Sequence, residues 1–271
     1  MQTLIVVPAR YGSTRFPGKP LAEINGVSML RRTARIAELA SAQIENCDYI
    51  VATDDERIQA HCEAYKIQCV MTSENLKTGS DRALAAAKAS QTSNGQPYER
   101  IINLQGDAPF TPVSHIVSLA KAMDNSADVA TPYTQLSWEA LDALRKHKVD
   151  TPFSGTTVIV RADGKAIWFS KNIIPAIRKE ELLRQASPLS PINRHIGLYA
   201  YKREALERFT QCNESQYETL EGLEQLRLLE NGMIIECVRV EPTKIATSGI
   251  DSTADIDIAE ALIAKHGDPY T

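Results

Sequence analysis

The sequence has few of the features that mark secreted, zinc-binding or membrane proteins. Its cysteines, at positions 47, 62, 69, 212 and 237, are odd in number and form no C-x-x-C pair, which argues against a disulfide framework and a zinc ribbon. No apolar run approaches the ~18 residues of a membrane span. The N-terminal run from Leu4 to Val7 is too short for the core of a signal peptide. We therefore expect a cytoplasmic protein with reduced thiols and no membrane partner.

A surplus of one charge is also missing. The 30 lysines and arginines nearly balance the 34 aspartates and glutamates, for a formal net charge of -4. The absence of a basic surplus argues against nucleic acid as a partner. An anionic ligand must then be met by a local group of cations, which favours small anions. With 43% hydrophobic residues over 271 positions, we expect one globular domain, 1–271, with an excursion at approximately 155–200.

The stretch "PARYGSTRFPGKP" does not form the common phosphate-binding loop. That loop, G-x-x-x-x-G-K-[ST], needs a glycine at the sixth position, but counting from Gly12 this is Pro17, and Pro20 stands where a metal-binding hydroxyl is required. A kinase or ATPase loop of this kind is therefore excluded. Three cations are present instead: Arg10, Arg15 and Lys19. Because they follow the first apolar strand, where open α/β sheets bind ligands, they indicate a polyphosphate site rather than a solvated basic loop.

The pattern of apolar segments predicts an α/β fold. Four strand-to-helix units lie in the first ~110 residues, which is typical of a doubly wound parallel sheet. Further along, "TTVIVRADGKAIWFSK" predicts an antiparallel hairpin around Asp163 and Gly164. The proline-punctuated segment 174–193 is expected to be charged and mobile. The segment "YETLEGLEQLRLLENG" predicts one helix that ends at Asn231 and Gly232.

Two aspartates are candidates for a metal site. Asp107 lies in "NLQGDAP", where a buried strand ends and glycine lets the backbone turn. Magnesium is usually held by one or two carboxylates together with phosphates and water. Asp251, in "SGIDSTAD", is the candidate partner, although the residues alone equally allow it to cap the last helix. A metal site requires that these two residues lie close together.

Several other polar residues allow both a structural and a functional interpretation. His195 could be a hydrogen-bonded structural residue or part of a site. Glu218, Glu221 and Glu224 recur every three residues on the predicted helix, with Gln225 adjacent. They form either a solvated acidic stripe or a face from which one glutamate reaches a cleft and accepts hydrogen bonds from sugar hydroxyls.

Two further features have simpler interpretations. Either Asp54 or Asp55 can cap the helix that follows "YIVAT", which explains the acidic pair without a metal. Ser13 and Ser80 are not accompanied by the histidine and aspartate that a serine-hydrolase triad needs. A hydrolase of that type is therefore not supported.

Seven motifs stand out along the chain: "VVPARYGSTRFPGKPL", "ATDDERI", "TGSDR", "NLQGDAP", "RHIGLYAY", "LEGLEQLRLLENG" and "SGIDSTADI". Together they resemble the CMP-Kdo synthetase family, the 3-deoxy-manno-octulosonate (Kdo) cytidylyltransferases, which activate an eight-carbon sugar acid for bacterial lipopolysaccharide. They occur in the family's order and span nearly the whole chain. The first and sixth motifs are highly specific, whereas "ATDD" and "QGD" recur across nucleotidyltransferases.

The resemblance implies a Rossmann-like nucleotidyltransferase fold, with a mainly parallel sheet flanked by helices and a small antiparallel excursion, usually as a homodimer. It implies that the substrates are CTP and a 3-deoxy-ulosonic sugar acid, and that Mg²⁺ is the cofactor. The implied phosphate contacts are Arg10, Ser13, Arg15 and Lys19. The implied contacts near the cytidine are Gly79, Ser80 and Arg82. The implied metal ligands are Asp107 and Asp251, and the implied sugar-acid contacts are Gln105, His195, Glu224 and Gln225. Catalysis is expected to depend chiefly on Arg10, Lys19 and Asp107.

Departures from the family pattern lie mainly on the sugar side and in the dimer region. The family's usual "QGDEP" has Ala108 in place of the glutamate, and Thr157 stands where a lysine is common. The nucleotide half is intact, so cytidylyl transfer is the expected reaction. A related ulosonic acid, such as amino-Kdo or a sialic-type acid, stays open as the acceptor. A degenerate nucleotide-binding sensor is the alternative outside enzymes.

Overall fold

The computed structural model describes residues 1–12, 16–123, 127–243, 249–250 and 252–270. The strands are β1 (Thr3–Ala9), β2 (Glu23–Ile24), β3 (Val27–Ser28), β4 (Cys47–Thr53), β5 (Cys69–Met71), β6 (Arg100–Asn103), β7 (Val129–Ser137), β8 (Thr157–Val160), β9 (Ala166–Ser170), β10 (Leu189–His195), β11 (Tyr199–Lys202) and β12 (Ile235–Arg239). The helices are α1 (Met29–Ser41), α2 (Glu56–Ala64), α3 (Gly79–Ala89), α4 (Val113–Ala122), α5 (Trp138–Asp150), α6 (Glu180–Ala186), α7 (Arg203–Gln211), α8 (Gln216–Glu221), α9 (Glu224–Glu230) and α10 (Thr253–His266). None of these helices is long and apolar enough to cross a membrane.

The first half of the chain forms a parallel sheet around β1. This strand is apolar and buried almost throughout, as a strand covered on both faces should be. It pairs in parallel with β4 on one side and β6 on the other, in the order β5-β4-β1-β6. The chain therefore builds outward from β1 in one direction and then returns to its other side. Such a reversal opens a crevice at the carboxyl ends of the two strands, where α/β proteins bind ligands.

The second half extends the same sheet with antiparallel strands. The order continues β11-β7-β10-β8-β9, and β12 lies parallel to β7. Strands β8 and β9 form the hairpin predicted around Asp163 and Gly164. The predicted α/β class, with a parallel sheet and an antiparallel excursion, is thus confirmed.

Helices cover both faces of the sheet. Helix α3 packs four buried alanine and leucine side chains, Ala83, Leu84, Ala86 and Ala87, into the core that also receives α7 and α9. Helices α1, α2 and α4 pack into a second core on the opposite face. The small alanines let α3 lie close to β1 and β6, so the amino terminus of α3 ends beside the crevice.

The predicted single helix over "YETLEGLEQLRLLENG" is wrong. The structure has two helices there, α8 and α9, separated at Gly222 with a φ of +63°. The Gly222 N–H donates to the Glu218 carbonyl at 2.7 Å, which ends α8 with a left-handed glycine. Glu218, Glu221 and Glu224 therefore do not share one helix face.

The segment 174–193 contains a helix that the sequence patterns did not indicate. Helix α6 is held against α5 by a group of four charged side chains. Arg145 donates to Glu180 at 2.8 and 2.7 Å, and Arg184 bridges Glu180 and Asp142. Tertiary ion pairs rather than an apolar period stabilise this short element.

Helix capping agrees with the sequence at α2 and decides an open question at α10. The Arg57 N–H donates to the Asp55 carboxylate at 2.9 Å, so Asp55 is the N-cap of α2. Ser252 caps α10 in a capping box with Asp255. The capping role that the sequence left open for Asp251 is therefore filled by Ser252.

Candidate active site

A close backbone approach at Gly106 shapes the crevice between β1 and β6. A Cβ atom at Gly106 would lie 2.5 Å from the Pro8 carbonyl oxygen, closer than any side chain tolerates. Only glycine lets the loop after β6 lie directly against the end of β1. The loop starts after Asn103, slightly earlier than the break expected at Gly106 and Asp107.

Lys19 and Asp107 meet in this crevice. The Lys19 ammonium donates to Asp107 Oδ2 at 2.8 Å, although the residues are 88 positions apart in the chain. Lys19 begins a short 3-10 turn, Lys19–Leu21, that follows Gly18 with a φ of +73°. Asp107 keeps 35% of its side chain exposed, so its carboxylate can be reached by a ligand.

Gly249 and Ile250, which directly precede the second predicted metal ligand, lie beside Asp107. The Ile250 N–H donates to the Asp107 carbonyl at 3.0 Å. A Cβ atom at Gly249 would lie 3.7 Å from that carbonyl oxygen. Asp251 follows Ile250 directly but lies outside the described residues, as do Ser13 and Arg15. Their predicted roles stay predictions.

Arg10 and Arg82 share one carboxylate, Asp54. Arg10 Nε lies 3.5 Å from Asp54 Oδ2, and Arg82 Nη2 donates to the same oxygen at 2.6 Å. The Arg10 side chain is 44% exposed, whereas Arg82, a predicted cytidine contact, exposes no surface at all. Burial lowers the pKa of Arg82, Asp54 offsets this, and the neighbouring charge of Arg10 lowers the pKa further.

The amino terminus of α3 faces the same crevice. Thr78 caps the helix in a capping box with Asp81. A Cβ atom at Gly79 would lie 3.5 Å from Pro8 and 3.6 Å from Gln105 Oε1, so two residues predicted from different motifs lie side by side. The free N–H groups of a helix amino terminus and its positive dipole end attract anions. This end of α3 is therefore suited to a phosphate-bearing ligand.

Polar side chains line the crevice on its α9 side. The Ser80 hydroxyl donates to Glu224 Oε2 at 3.2 Å. Glu224 is reachable by solvent, yet the surrounding protein limits its hydration and raises its pKa, an effect that Ser80 and Arg227 partly offset. Gln225 is almost fully buried, and its Nε2 has no partner among the described residues.

Asn103 is a candidate site residue that the sequence motifs did not indicate. It is fully buried at the end of β6, and a Cβ atom at Gly79 would lie 3.7 Å from its Nδ2. In the described part of the chain neither its Oδ1 nor its Nδ2 has a hydrogen-bond partner. A buried amide without partners is costly. The available signal was a polar residue between the apolar Ile102 and Leu104 in "RIINL".

His195 is buried as a neutral imidazole. Its Nε2 lies 2.8 Å from Thr131 Oγ1, and the Thr131 hydroxyl donates to the Leu198 carbonyl at 2.8 Å. Because that hydroxyl has one proton, His195 donates from Nε2 and keeps Nδ1 as an acceptor. Burial, with a smaller effect of the Lys171 charge, lowers the pKa of His195 to about 3. Its ring packs 5.0 Å from Phe169 and 5.5 Å from Tyr199.

The other two glutamates of the predicted stripe have structural partners. Glu218 accepts two hydrogen bonds from Arg227, at 2.8 and 2.6 Å. Glu221 accepts from the Ser170 hydroxyl at 2.9 Å and from the Lys171 N–H at 2.7 Å. Of the three, Glu224 alone combines a reachable carboxylate with the predicted site.

The comparison with known proteins decides the family. Residues 4–237 match the family model described as cytidylyltransferase. The 3-deoxy-manno-octulosonate cytidylyltransferase of Maricaulis maris (strain MCS10) is 39% identical over 99% of both chains. The enzyme of the same name from Parabacteroides distasonis (strain ATCC 8503 / DSM 20701 / CIP 104284 / JCM 5825 / NCTC 11152) is 35% identical over 98% of this chain and 99% of the relative.

The chain belongs to the 3-deoxy-manno-octulosonate cytidylyltransferase family. A solved structure of CMP:2-keto-3-deoxy-manno-octonic acid synthetase complexed with CTP superposes with a TM-score of 0.81 at 31% identity, covering 98% of this chain and 99% of that one. A cytidylyltransferase from Leptospira borgpetersenii serovar Hardjo-bovis (strain JB197) shares the fold at a TM-score of 0.59 and 16% identity, covering 100% of this chain and 91% of that one. The predicted family and fold are both confirmed.

Within this family member, two groups of predicted residues lie around one crevice, in addition to the pair Arg10 and Arg82 at Asp54. Lys19, Asp107, Gly79 and Gln105 lie at the ends of β1 and β6. Ser80, Glu224 and Gln225 lie on the α9 side, and the row of rings from His195 through Tyr199 to Tyr201 runs toward them. Burial, with a further effect of the Glu224 charge, raises the pKa of Tyr201. Ser80 follows Gly79 in α3, so the two groups adjoin along the crevice.

Proposed function

We propose that this protein transfers CMP from CTP to the anomeric hydroxyl of Kdo and releases pyrophosphate. The observation that carries the proposal is the contact between Lys19 and Asp107 at the carboxyl ends of β1 and β6 in a chain of this family. A cation and a carboxylate from distant motifs meet at the loop after β6, and Gln105 of the same loop lies beside Gly79 at the amino terminus of α3. Phosphoryl transfer depends chiefly on such positioning and charge stabilisation.

The cations of the opening loop would hold the triphosphate. Arg10 offers a planar fork for bidentate contacts with phosphate oxygens, and Lys19 offers a point charge. Ser13 and Arg15 belong to the same loop and complete this proposed set. Their task is to neutralise the negative charge that accumulates on the leaving pyrophosphate.

The residues present fit a magnesium ion. Asp107 offers a reachable carboxylate, and Asp251 follows Ile250, which is hydrogen-bonded to Asp107. Within the described ranges no group of three or more His, Cys, Asp or Glu could hold a metal by itself. Asp107 and Asp251 would therefore hold Mg²⁺ jointly with the phosphates of CTP. Bound there, Mg²⁺ would neutralise charge on the phosphates and lower the pKa of the attacking hydroxyl.

The acceptor sugar would bind on the α9 side. Glu224 can accept hydrogen bonds from sugar hydroxyls, while Gln105 and Gln225 can both donate and accept. The neutral His195 can accept through Nδ1 but carries no charge for the acid group. Homodimer formation, a cytoplasmic location and a role in lipopolysaccharide biosynthesis are proposed from the family resemblance.

A related ulosonic acid is the second candidate acceptor. Thr157, which stands where the family commonly has a lysine, is fully buried and donates to the Asn172 carbonyl at 2.7 Å. Its hydroxyl is therefore occupied and cannot replace the missing cation. This difference on the sugar side favours a test with several acceptors.

The decisive experiment is an acceptor screen with CTP and Mg²⁺ held constant. Pyrophosphate release and CMP-sugar formation would be measured with Kdo, amino-Kdo and a sialic-type acid, with and without a chelator. Kdo-dependent turnover supports the proposal. Turnover with another ulosonic acid alone would keep the chemistry and change the substrate. Binding of CTP without turnover on any acceptor would indicate a sensor.

A further inference from the structure

The acidic pair Asp54 and Asp55 divides into two different roles. Asp55 caps α2 and pairs with the Arg57 guanidinium at 2.7 Å. Asp54 is not needed for the cap. Its side chain is only 12% exposed and contacts two arginines, Arg10 and Arg82.

Arg82 contacts the Asp54 carboxylate from the buried side. Arg82 lies in the first turn of α3 and exposes no surface. Its Nη2 donates to Asp54 Oδ2 at 2.6 Å, and its Nη1 donates to the Thr72 hydroxyl at 2.5 Å. The Thr72 hydroxyl donates in turn to the Thr53 carbonyl at 3.0 Å. The Thr72 hydroxyl, itself bonded to the Thr53 carbonyl, therefore orients the Arg82 guanidinium. The oriented guanidinium in turn fixes the position of the Asp54 carboxylate.

Arg10 lies on the outer side of the same carboxylate. Its Nε is 3.5 Å from Asp54 Oδ2, and its Nη1 donates to the Lys77 carbonyl over a long 3.4 Å. A guanidinium has five N–H donors in a planar fork. A carboxylate beside Nε leaves the terminal nitrogens able to bind phosphate oxygens in a bidentate way.

We propose that Asp54 and Arg82 are positioning residues that orient Arg10 toward the triphosphate of CTP. This inference rests on the proposed function, in which Arg10 contacts the phosphates. Arg82 acts through Asp54, since no part of Arg82 reaches the surface where a nucleotide could bind. The resemblance alone would make Arg82 a direct contact.

Positioning and simple charge predict opposite effects of removing Asp54. A carboxylate near the clamp repels a triphosphate, so charge alone predicts tighter CTP binding when Asp54 becomes neutral. Positioning predicts weaker binding, because Arg10 loses its orienting partner and must be ordered when CTP binds. The sign of the change therefore distinguishes the two explanations.

The test compares dissociation constants for CTP and for cytidine by calorimetry on the full chain. We expect Asp54→Asn to weaken CTP binding about tenfold, as expected when a charge-assisted contact is impaired, and to leave cytidine binding unchanged. Asp55→Asn is the matched control, since it removes the same charge one position away without touching Arg10. It should lower the melting temperature but leave CTP binding unchanged.

A double-mutant cycle tests the route through Arg10. In an Arg10→Gln background, Asp54→Asn should cause no additional loss of CTP affinity. If Asp54→Asn fails to fold, the paired variant Asp54→Asn with Arg82→Gln removes both buried charges and should show the same selective loss. Unchanged or tighter CTP binding, or a loss that persists without Arg10, overturns the positioning role. Where the wild-type chain binds CTP and turns it over, any of these outcomes refutes the positioning role alone. A wild-type chain that binds no CTP refutes the proposed function as well.

Discussion

Acid should destabilise this protein through His195, and the size of the effect follows from its burial. The folded state keeps this imidazole neutral because its pKa is lowered from 6.5 to about 3, whereas the unfolded chain titrates at the ordinary value. Below the unfolded pKa, the unfolded state therefore binds a proton that the folded state does not bind. Stability falls as the pH drops from 6.5 toward about 3.

The expected loss is large enough to measure. With pKa values of 6.5 unfolded and about 3 folded, His195 lowers the free energy of unfolding by about 2 kcal/mol at about pH 5 relative to about pH 8. For a chain of 271 residues this corresponds to about 4 °C in melting temperature. His61 and His115, whose pKa values are also lowered by burial, add to the slope in every variant.

The assay is thermal or urea unfolding of the wild type and of His195→Gln at both pH values. Glutamine can keep the donor toward Thr131 but does not titrate, so the variant should lose about 2 kcal/mol of the pH dependence. His147→Gln is the matched control, because His147 is exposed on α5. An undiminished pH dependence in His195→Gln would refute the assignment of a buried neutral imidazole.

Three further predictions follow from the site and its support. Asp107→Asn should lower kcat about 100-fold or more in a magnesium-dependent assay. The control variant Asp257→Asn, at an exposed position, should keep the wild-type kcat. Near-normal turnover of Asp107→Asn contradicts the metal assignment. Lys19→Ala should raise the KM for CTP without unfolding the protein, and an unchanged CTP dependence would remove Lys19 from the proposed clamp. Glu218→Gln should lower the free energy of unfolding by about 3 kcal/mol, because it leaves the charge of Arg227, whose side chain is only 12% exposed, without its partner. Glu38→Gln, which breaks an exposed pair with Arg35, should lower it by about 0.5 kcal/mol. Equal losses would disprove the buried pair.

Local features of the fold were predictable because they depend on neighbours in the chain. The buried β1, the cap at Asp55 and the hairpin at Asp163 and Gly164 each follow from residue spacing and turn chemistry. The break at Gly222 was not predicted, since apolar and acidic residues keep a helical spacing across it. A single left-handed glycine ended α8 there despite the pattern.

The sequence by itself determined the α/β class, the cations of the opening loop and, through its motifs, the family. Tertiary structure alone decided which polar groups are buried and which meet. Lys19 contacts Asp107 across 88 positions, Arg82 lies beneath Asp54, and Asn103 is buried without a partner in the described chain. The physical reason is that hydration and pairing depend on segments far apart in the chain, which residue spacing does not encode.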